Sequence, residues 1–447
     1  MEIKHAQKIF FLALGDIVAL YLALFAMLLV RYGGAFYASF VNLHVLPFTI
    51  VFVPWIAIFY VAGLYDLRRL RNNLDFLKIL WLSLAVNAVI AVLFFYLIPI
   101  FGITPKTNLF IFIVIFAAIE TYWRRIFNRT LAGSEAANRV LLVGANAAAE
   151  EARRTIDQNP QLGYAIAATL AEADIHADPR RLEEAVQASR ANLVVVPREL
   201  KYDTKLNKTL YDFLGSGIEV RDTVDFYEAV MRKIPVVGLE ESWFLENVID
   251  HHRFYDDLKR AGEFLFSLAL LIVLSPILAL IAIFVKLTSR GPVVFKQVRT
   301  GRYNKKFTLY KFRSMRADAE KYGAQWKASG TKDPRLTSVG RFLVLTHLDE
   351  LLQLANILKG QMSFVGPRPE RPELVAVIKE KVPYFEIRHL VKPGVTGWAQ
   401  INFRYGATVE DSREKLEYDI YYVKNRSIIL DIAIVLKTIK SFFVNQK

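Results

Sequence analysis

Asp349 and Glu350 are adjacent carboxylates with cations on both sides: Lys296, Arg299, Arg302, Lys311 and Arg313 upstream, Arg368 and Arg371 downstream. Clustered Arg and Lys beside Gly and Pro suit a diphosphate, because a guanidinium fork can hold two phosphate oxygens at once. Rigid Arg-rich loops next to a carboxylate pair suit a phosphate-handling site. Two plainer readings stand beside this one. Acids in the first turn of a helix favour its dipole without doing chemistry, and a basic surface can rest on anionic lipid. Other chemistries are excluded: with no cysteine there is no thiol nucleophile, disulfide or thiolate zinc site. The seven histidines are scattered without helical metal spacing.

Short elements must hold these groups. Residues 291–302 (GPVVFKQVRTGR) and 307–316 (FTLYKFRSMR) read as strands. Residues 346–362 (THLDELLQLANILKGQM) predict one amphipathic helix. Its apolar face is Leu348, Leu351, Leu352, Leu354, Ala355, Ile357 and Leu358, with Asp349, Gln353 and Asn356 opposite. Residues 363–373 (SFVGPRPERPE) form a proline-fixed turn, and 392–402 (KPGVTGWAQIN) a polar turn with Trp398 and Gln400.

The 447 residues have a mean hydropathy of +0.27 and a pI near 9.6, which points to membrane segments. Apolar stretches lie at about 9–30, 45–64, 79–100 and 109–123, each near the ~20 residues that cross a bilayer. Lys4 and Lys8 precede the first, Arg68, Arg69 and Arg71 separate the second from the third, and Arg124, Arg125 and Arg129 follow the fourth. The positive-inside rule therefore puts both ends of a four-helix transmembrane bundle, residues 1–130, in the cytoplasm. Asp16, inside the first span, is either a functional carboxylate or a helix-packing partner, and packing is the stronger reading.

Residues 131–256 read as a Rossmann-like α/β domain, with strands at 139–144 (RVLLVG) and 191–196 (ANLVVV) alternating with helices. Asn146 and Ala149 stand where a dinucleotide fingerprint after Gly144 needs glycine, so a structural or oligomerising role is expected. Residues 257–447 hold the basic excess, 32 Lys and Arg against 17 Asp and Glu. At their start, 264–285 is long enough to cross the membrane, but it is flanked by cations on both sides and centred on Ser275 and Pro276. A re-entrant helix over 262–288, bent at that pair, is favoured over a straight span.

Taken together, KFRSM (311–315), LDEL (348–351), NILKG (356–360), SFVGPRPERPE and KPGVTGWAQIN resemble, in order, the bacterial sugar transferases that move a phosphosugar from a nucleotide-sugar to polyprenyl phosphate. The bundle and degenerate Rossmann-like domain are similar to the long form of that family. The resemblance implies a monotopic α/β catalytic domain on the cytoplasmic face of the bacterial inner membrane. Asp349 would attack the β-phosphorus of a UDP-sugar, glucose or galactose by family-level lean, and polyprenyl phosphate would then take the phosphosugar. Glu350 would hold Mg²⁺, and Lys311, Arg313, Arg368 and Arg371 would bind substrate. The implied partners are the UDP-sugar, polyprenyl phosphate and inner-membrane lipid, with a homodimer left open and no nucleic acid. Val344 and His347 replace residues that are usually basic in the family, Leu352 a usual Pro, and Gln361 a usual acid. Two alternatives are a non-catalytic scaffold of polysaccharide assembly and a membrane nucleotide-sugar dehydratase or epimerase.

Overall fold

The computed structural model describes residues 2–35, 43–66, 70, 72–98, 106–133, 138–144, 146–201, 203, 206–248, 253–316, 335–403 and 408–444. It divides into two compact units, Met1–Met231 and Arg232–Lys447.

The first unit opens with four helices: α1 (Glu2–Tyr32), α2 (Val45–Ala62), α3 (Leu74–Leu97) and α4 (Lys106–Gly133). Phe48, Phe52, Trp55 and Phe59 recur at helical spacing along α2 and pack against the rings of Phe112 and Phe116 of α4. Outward residues such as Phe10, Leu22, Val53 and Leu82 are apolar too. Helices apolar all round belong in lipid. Among the described residues, Gln7–Tyr32, Val45–Ala62, Phe76–Leu97 and, in the second unit, Phe254–Thr288 are long and apolar enough to cross a membrane.

Helix α4, which contains the fourth apolar stretch, carries a buried polar cluster. Arg124 Nη1 donates to the Leu64 carbonyl at 2.6 Å, its Nε pairs with Glu120 at 2.8 Å, and its Nη2 pairs with Asp16. Asp16 also accepts from Tyr65 at 2.6 Å and Trp123 at 3.1 Å. Asp16 is thus a packing partner between α1 and α4. Arg124, counted from sequence among the cytoplasmic loop cations, is instead fully buried. Arg68, Arg69 and Arg71 lie outside the described residues. Arg124→Met strands two buried carboxylates, so it should destabilise the bundle by about 3–5 kcal/mol. Thermal unfolding in nanodiscs would read this as a lowered melting temperature, with a smaller drop for Asp16→Asn.

Four strands follow in a parallel sheet of order β2-β1-β3-β4: β1 (Asn138–Val143), β2 (Tyr164–Leu170), β3 (Leu193–Val196) and β4 (Glu219–Asp222). The central strands β1 and β3 are covered on both faces, which is why each holds a continuous apolar run. Val140, Leu142, Leu193 and Val195 pack under α5 (Ala147–Gln158) and α8 (Thr223–Met231). Leu141, Val143, Val194 and Val196 pack under α6 (Arg180–Ser189) and α7 (Asn207–Gly215). After β1, Asn146 caps α5 by accepting from Ala149 N at 2.8 Å. A Cβ on Gly144 would fall 2.4 Å from Glu172 Oε1. Gly144 thus leaves room for the Glu172 carboxylate, and Asn146 occupies the N-terminus of α5 as its cap.

The second unit contains α9 (Glu241–Asn247), α10 (Arg253–Thr288), an antiparallel hairpin of β5 (Val294–Thr300) and β6 (Lys306–Phe312), α11 (Ser338–Thr346), α12 (Gln353–Leu358), β7 (Ser363–Val365), α13 (Pro372–Lys381), β8 (Gly394–Thr396), α14 (Trp398–Asn402), α15 (Val409–Asn425) and α16 (Ile428–Val444). The polar base of α10 anchors it. Lys259 bonds Asp431 at 2.7 Å and the Val365 carbonyl at 2.9 Å, while Glu263 accepts from Ser363 at 2.5 Å and Phe364 N at 3.0 Å. Beyond Phe264, α10 is apolar and largely exposed. Pro276 has no N–H for the Ile272 carbonyl, and the Ser275 hydroxyl donates to that oxygen at 2.8 Å instead. Residues 253–288 therefore form one continuous helix through the Ser-Pro pair.

Candidate active site

The carboxylate pair does not open a long helix. Helix α11 stops at His347, whose φ of 56° is left-handed, and Asp349 and Glu350 sit in a tight 3-10 turn, Leu348–Leu352, before α12 begins. The single helix expected over 346–362 is thereby corrected. The break has a packing cause. Leu348, Leu351 and Leu352 join Phe312, Leu343 and Ile281, whereas Leu354 and Ile357 join Phe307, Leu309 and Met362. Two apolar clusters require two windings of the chain. The polar side is buried as well, since Asp349, Gln353 and Asn356 all face protein.

Asn356 ties this segment to the hairpin. Its Oδ1 accepts from Tyr310 N at 3.1 Å, and its Nδ2 donates to the Thr308 carbonyl at 2.7 Å and to Gln361 at 2.9 Å. The amide thus takes the place of a third strand on the free edge of β6. A slip of β6 by one residue would turn Lys311 to the other face. Arg260 secures the other end of α12, donating to the carbonyls of Ile357 at 2.5 Å and Leu358 at 2.7 Å.

The two proline-marked loops meet through β7 and β8, which are parallel. Gly394 N bonds Pro367 O and Gly366 N bonds Thr396 O, both at 2.9 Å. A Cβ on Gly394 would lie 2.1 Å from Gly366 N, so only glycine permits this backbone approach. Arg388, buried against Asp419 at 2.8 Å, donates to the Arg368 carbonyl at 3.0 Å and fixes that loop.

These elements bring Lys311, Glu350 and Arg368 together. Lys311 Nζ is 2.5 Å from Glu350 Oε1, and Arg368 Nη2 is 3.5 Å from the same oxygen. Lys311 and Arg368 also line a narrow cleft of about 10 Å³ with Arg299, Gln353, Pro369 and Gly394. Arg313 lies elsewhere: its guanidinium donates to the Ser289 carbonyl at 2.7 Å and hydroxyl at 2.5 Å, just past the end of α10. Arg371 precedes α13 and reaches Glu373 at 3.5 Å. Two of the cleft's polar side chains, Arg299 and Gln353, are not singled out as site residues by the sequence. Arg299 was visible in the basic cluster, and Gln353 was assigned only to a polar helix face.

The neighbouring carboxylates have opposite environments. Burial works against the ionised form of Glu350, but Arg368 and Lys311 outweigh it and hold the pKa down at about 2. Burial pushes Asp349 above the ordinary carboxylate range, with Lys311 opposing and Glu350 adding to the rise. Asp349 is 7% exposed and accepts no side-chain hydrogen bond among the described residues. One carboxylate is thus a fixed anion and the other an unencumbered, more basic one. Paired groups tuned apart in this way take different roles in a reaction.

Residues 254–445 match the family described as bacterial sugar transferase. The UDP-N-acetylgalactosamine-undecaprenyl-phosphate N-acetylgalactosaminephosphotransferase of Aeromonas hydrophila is 43% identical over 42% of this chain, and the chain spans only 44% of that relative. The UDP-glucose:undecaprenyl-phosphate glucose-1-phosphate transferase of Klebsiella pneumoniae is 28% identical over 94% of the chain and 95% of its own length. The exopolysaccharide production protein PSS of Rhizobium leguminosarum bv. phaseoli is 42% identical, and 97% of it is covered by 42% of this chain. With residues 254–445 matching the family's model, and 42% of the chain aligned at 42% identity to nearly the whole of a relative, the chain belongs to the bacterial sugar transferase family.

Proposed function

We propose that this protein transfers a sugar 1-phosphate from a UDP-sugar to undecaprenyl phosphate, at the cytoplasmic face of a bacterial inner membrane, as a first step of extracellular polysaccharide assembly. The observation that carries this is the split pair: a free, buried Asp349 beside a Glu350 held by Lys311 and Arg368 at a cationic cleft. An Asp349 oxygen attacks the β-phosphorus, the bond from that phosphorus to the bridging oxygen breaks, and UMP leaves with the electron pair. Asp349 is left as an acyl phosphate carrying the sugar. A phosphate oxygen of the polyprenyl acceptor then attacks the same phosphorus, freeing the carboxylate and giving polyprenyl diphosphosugar. Lys311, Arg299 and Arg368 offset the charge of the diphosphate, without which an anionic nucleophile would be repelled.

A divalent cation suits Glu350. No trio of metal-ligating side chains occurs among the described residues, and Mg²⁺ typically takes one or two carboxylates plus substrate phosphates. Glu350 is ionised at neutral pH, and its Oε2 accepts nothing among the described residues. Mg²⁺ held there would neutralise charge on the diphosphate. The apolar, exposed length of α10 supports its seating in the membrane; that it re-enters rather than crosses, bending at Ser275 and Pro276, is part of this reading. Exposed Phe342 and Leu345 on α11 and Ile429 and Ile432 on α16 extend the lipid-facing surface.

The names of relatives divide between glucose and N-acetylgalactosamine donors. The test is therefore UMP release from UDP-glucose, UDP-galactose and UDP-N-acetylgalactosamine, with Mg²⁺ and undecaprenyl phosphate. Release from at least one donor, dependent on acceptor, is expected. Intact donors throughout, with well-folded protein, would overturn the assignment.

A further inference from the structure

Gln353 is 4% exposed and its carboxamide makes no hydrogen bond among the described residues, yet its polar atoms are not sealed from solvent. An amide with no partner in the protein and with its polar atoms open at the cleft is placed to bond whatever occupies it. It lies four residues past Asp349, and it lines the cleft beside Arg299, Lys311 and Arg368. Asn356, one turn further on, has both amide atoms bonded within the protein. Two carboxamides on one short helix are thus treated differently: one is part of the scaffold and the other has its bonding capacity open toward the cations.

We propose that Gln353 is a substrate-contacting residue, its amide N–H donating to a phosphate oxygen of the nucleoside diphosphate held by Arg299, Lys311 and Arg368. This rests on the reading of the cleft as a UDP-sugar site and adds a contact to it. A neutral donor among three cations suits a polyanion, because it adds a directed bond without another desolvated charge.

Two substitutions test it. Gln353→Glu keeps the shape but places a carboxylate among the same cations, where it competes with phosphate. Its KM for the UDP-sugar and its Kd for UDP by calorimetry should rise roughly tenfold or more. Gln353→Met keeps chain length and removes the amide, so KM and the UDP Kd should rise roughly three- to tenfold. Its melting temperature should hold, since no hydrogen bond within the protein is lost. A structural amide would behave in the opposite way, with a lower melting temperature and unchanged UDP affinity, and that result would overturn the proposal. So would unaltered UDP affinity in Gln353→Glu. If the wild-type protein turns over no UDP-sugar but binds UDP in a Gln353-dependent way, the transfer reaction fails and the contact stands. An active wild type with two unaffected variants would sink the contact alone.

Discussion

Asp349→Asn should lose UMP release by roughly 10³-fold or more while keeping its fold. The amide has the shape of the carboxylate but cannot form the acyl phosphate. Because burial already disfavours the charged form of Asp349, removing the charge relieves a cost of folding. The variant should therefore melt at the same temperature or higher. Loss of activity with retained stability separates a nucleophile from a structural acid, and the check is a UMP-release assay run beside a melting curve. Loss of both together would mark Asp349 as part of the scaffold.

The second large effect is expected from Lys311→Met. Lys311 is the nearest cation to Glu350, at 2.5 Å, while Arg368 stands at 3.5 Å. Removing a fixed cation from a site that must bind a diphosphate should lower kcat/KM by roughly 10²-fold. A pH signature should accompany the loss. The native Glu350 pKa lies below its ordinary value, so its contribution is fully present above about pH 4.5 and fades as pH falls toward 2. The acidic limb of the rate profile is set by ionisation of the nucleophile Asp349, whose upward shift Lys311 opposes; without Lys311 both Asp349 and Glu350 move up, and the limb moves to higher pH. Profiles of wild type and variant over pH 4–8 would show that displacement. Superimposable acidic limbs would mean that Lys311 does not favour the ionised form of the carboxylate pair.

The readable parts of this molecule are those fixed by composition along the chain. The apolar helices follow from hydropathy. β1 and β3 follow from runs such as VLLV and LVVV, because a strand covered on both faces shows no alternation. The sugar transferase motifs were readable as a set, and the structure packs SFVGPRPE against KPGVTG through glycines whose necessity appears only at 2.1–2.3 Å backbone approach. What escaped depends on tertiary partners. The left-handed turn at His347 answers to two separate apolar clusters, which a helical wheel cannot register. Lys311 and Arg313 are two residues apart in a strand-like run, yet one meets Glu350 and the other meets Ser289, because the end of α10 lies under the second. The hydrophilic side of residues 349–356 reads as a solvent face, but it is buried against β6 and the cleft. Polar residues were found by type, and only the fold separated scaffold from site.

The covalent step is the central claim, and mass spectrometry of the purified protein tests it most directly. The protein would be incubated with Mg²⁺ and each UDP-sugar, without lipid acceptor, and then digested. A hexose-phosphate or N-acetylhexosamine-phosphate adduct on the peptide containing Asp349, discharged by undecaprenyl phosphate and missing from Asp349→Asn, is the predicted result. A donor that yields UMP when acceptor is present but leaves no adduct on that peptide would contradict it.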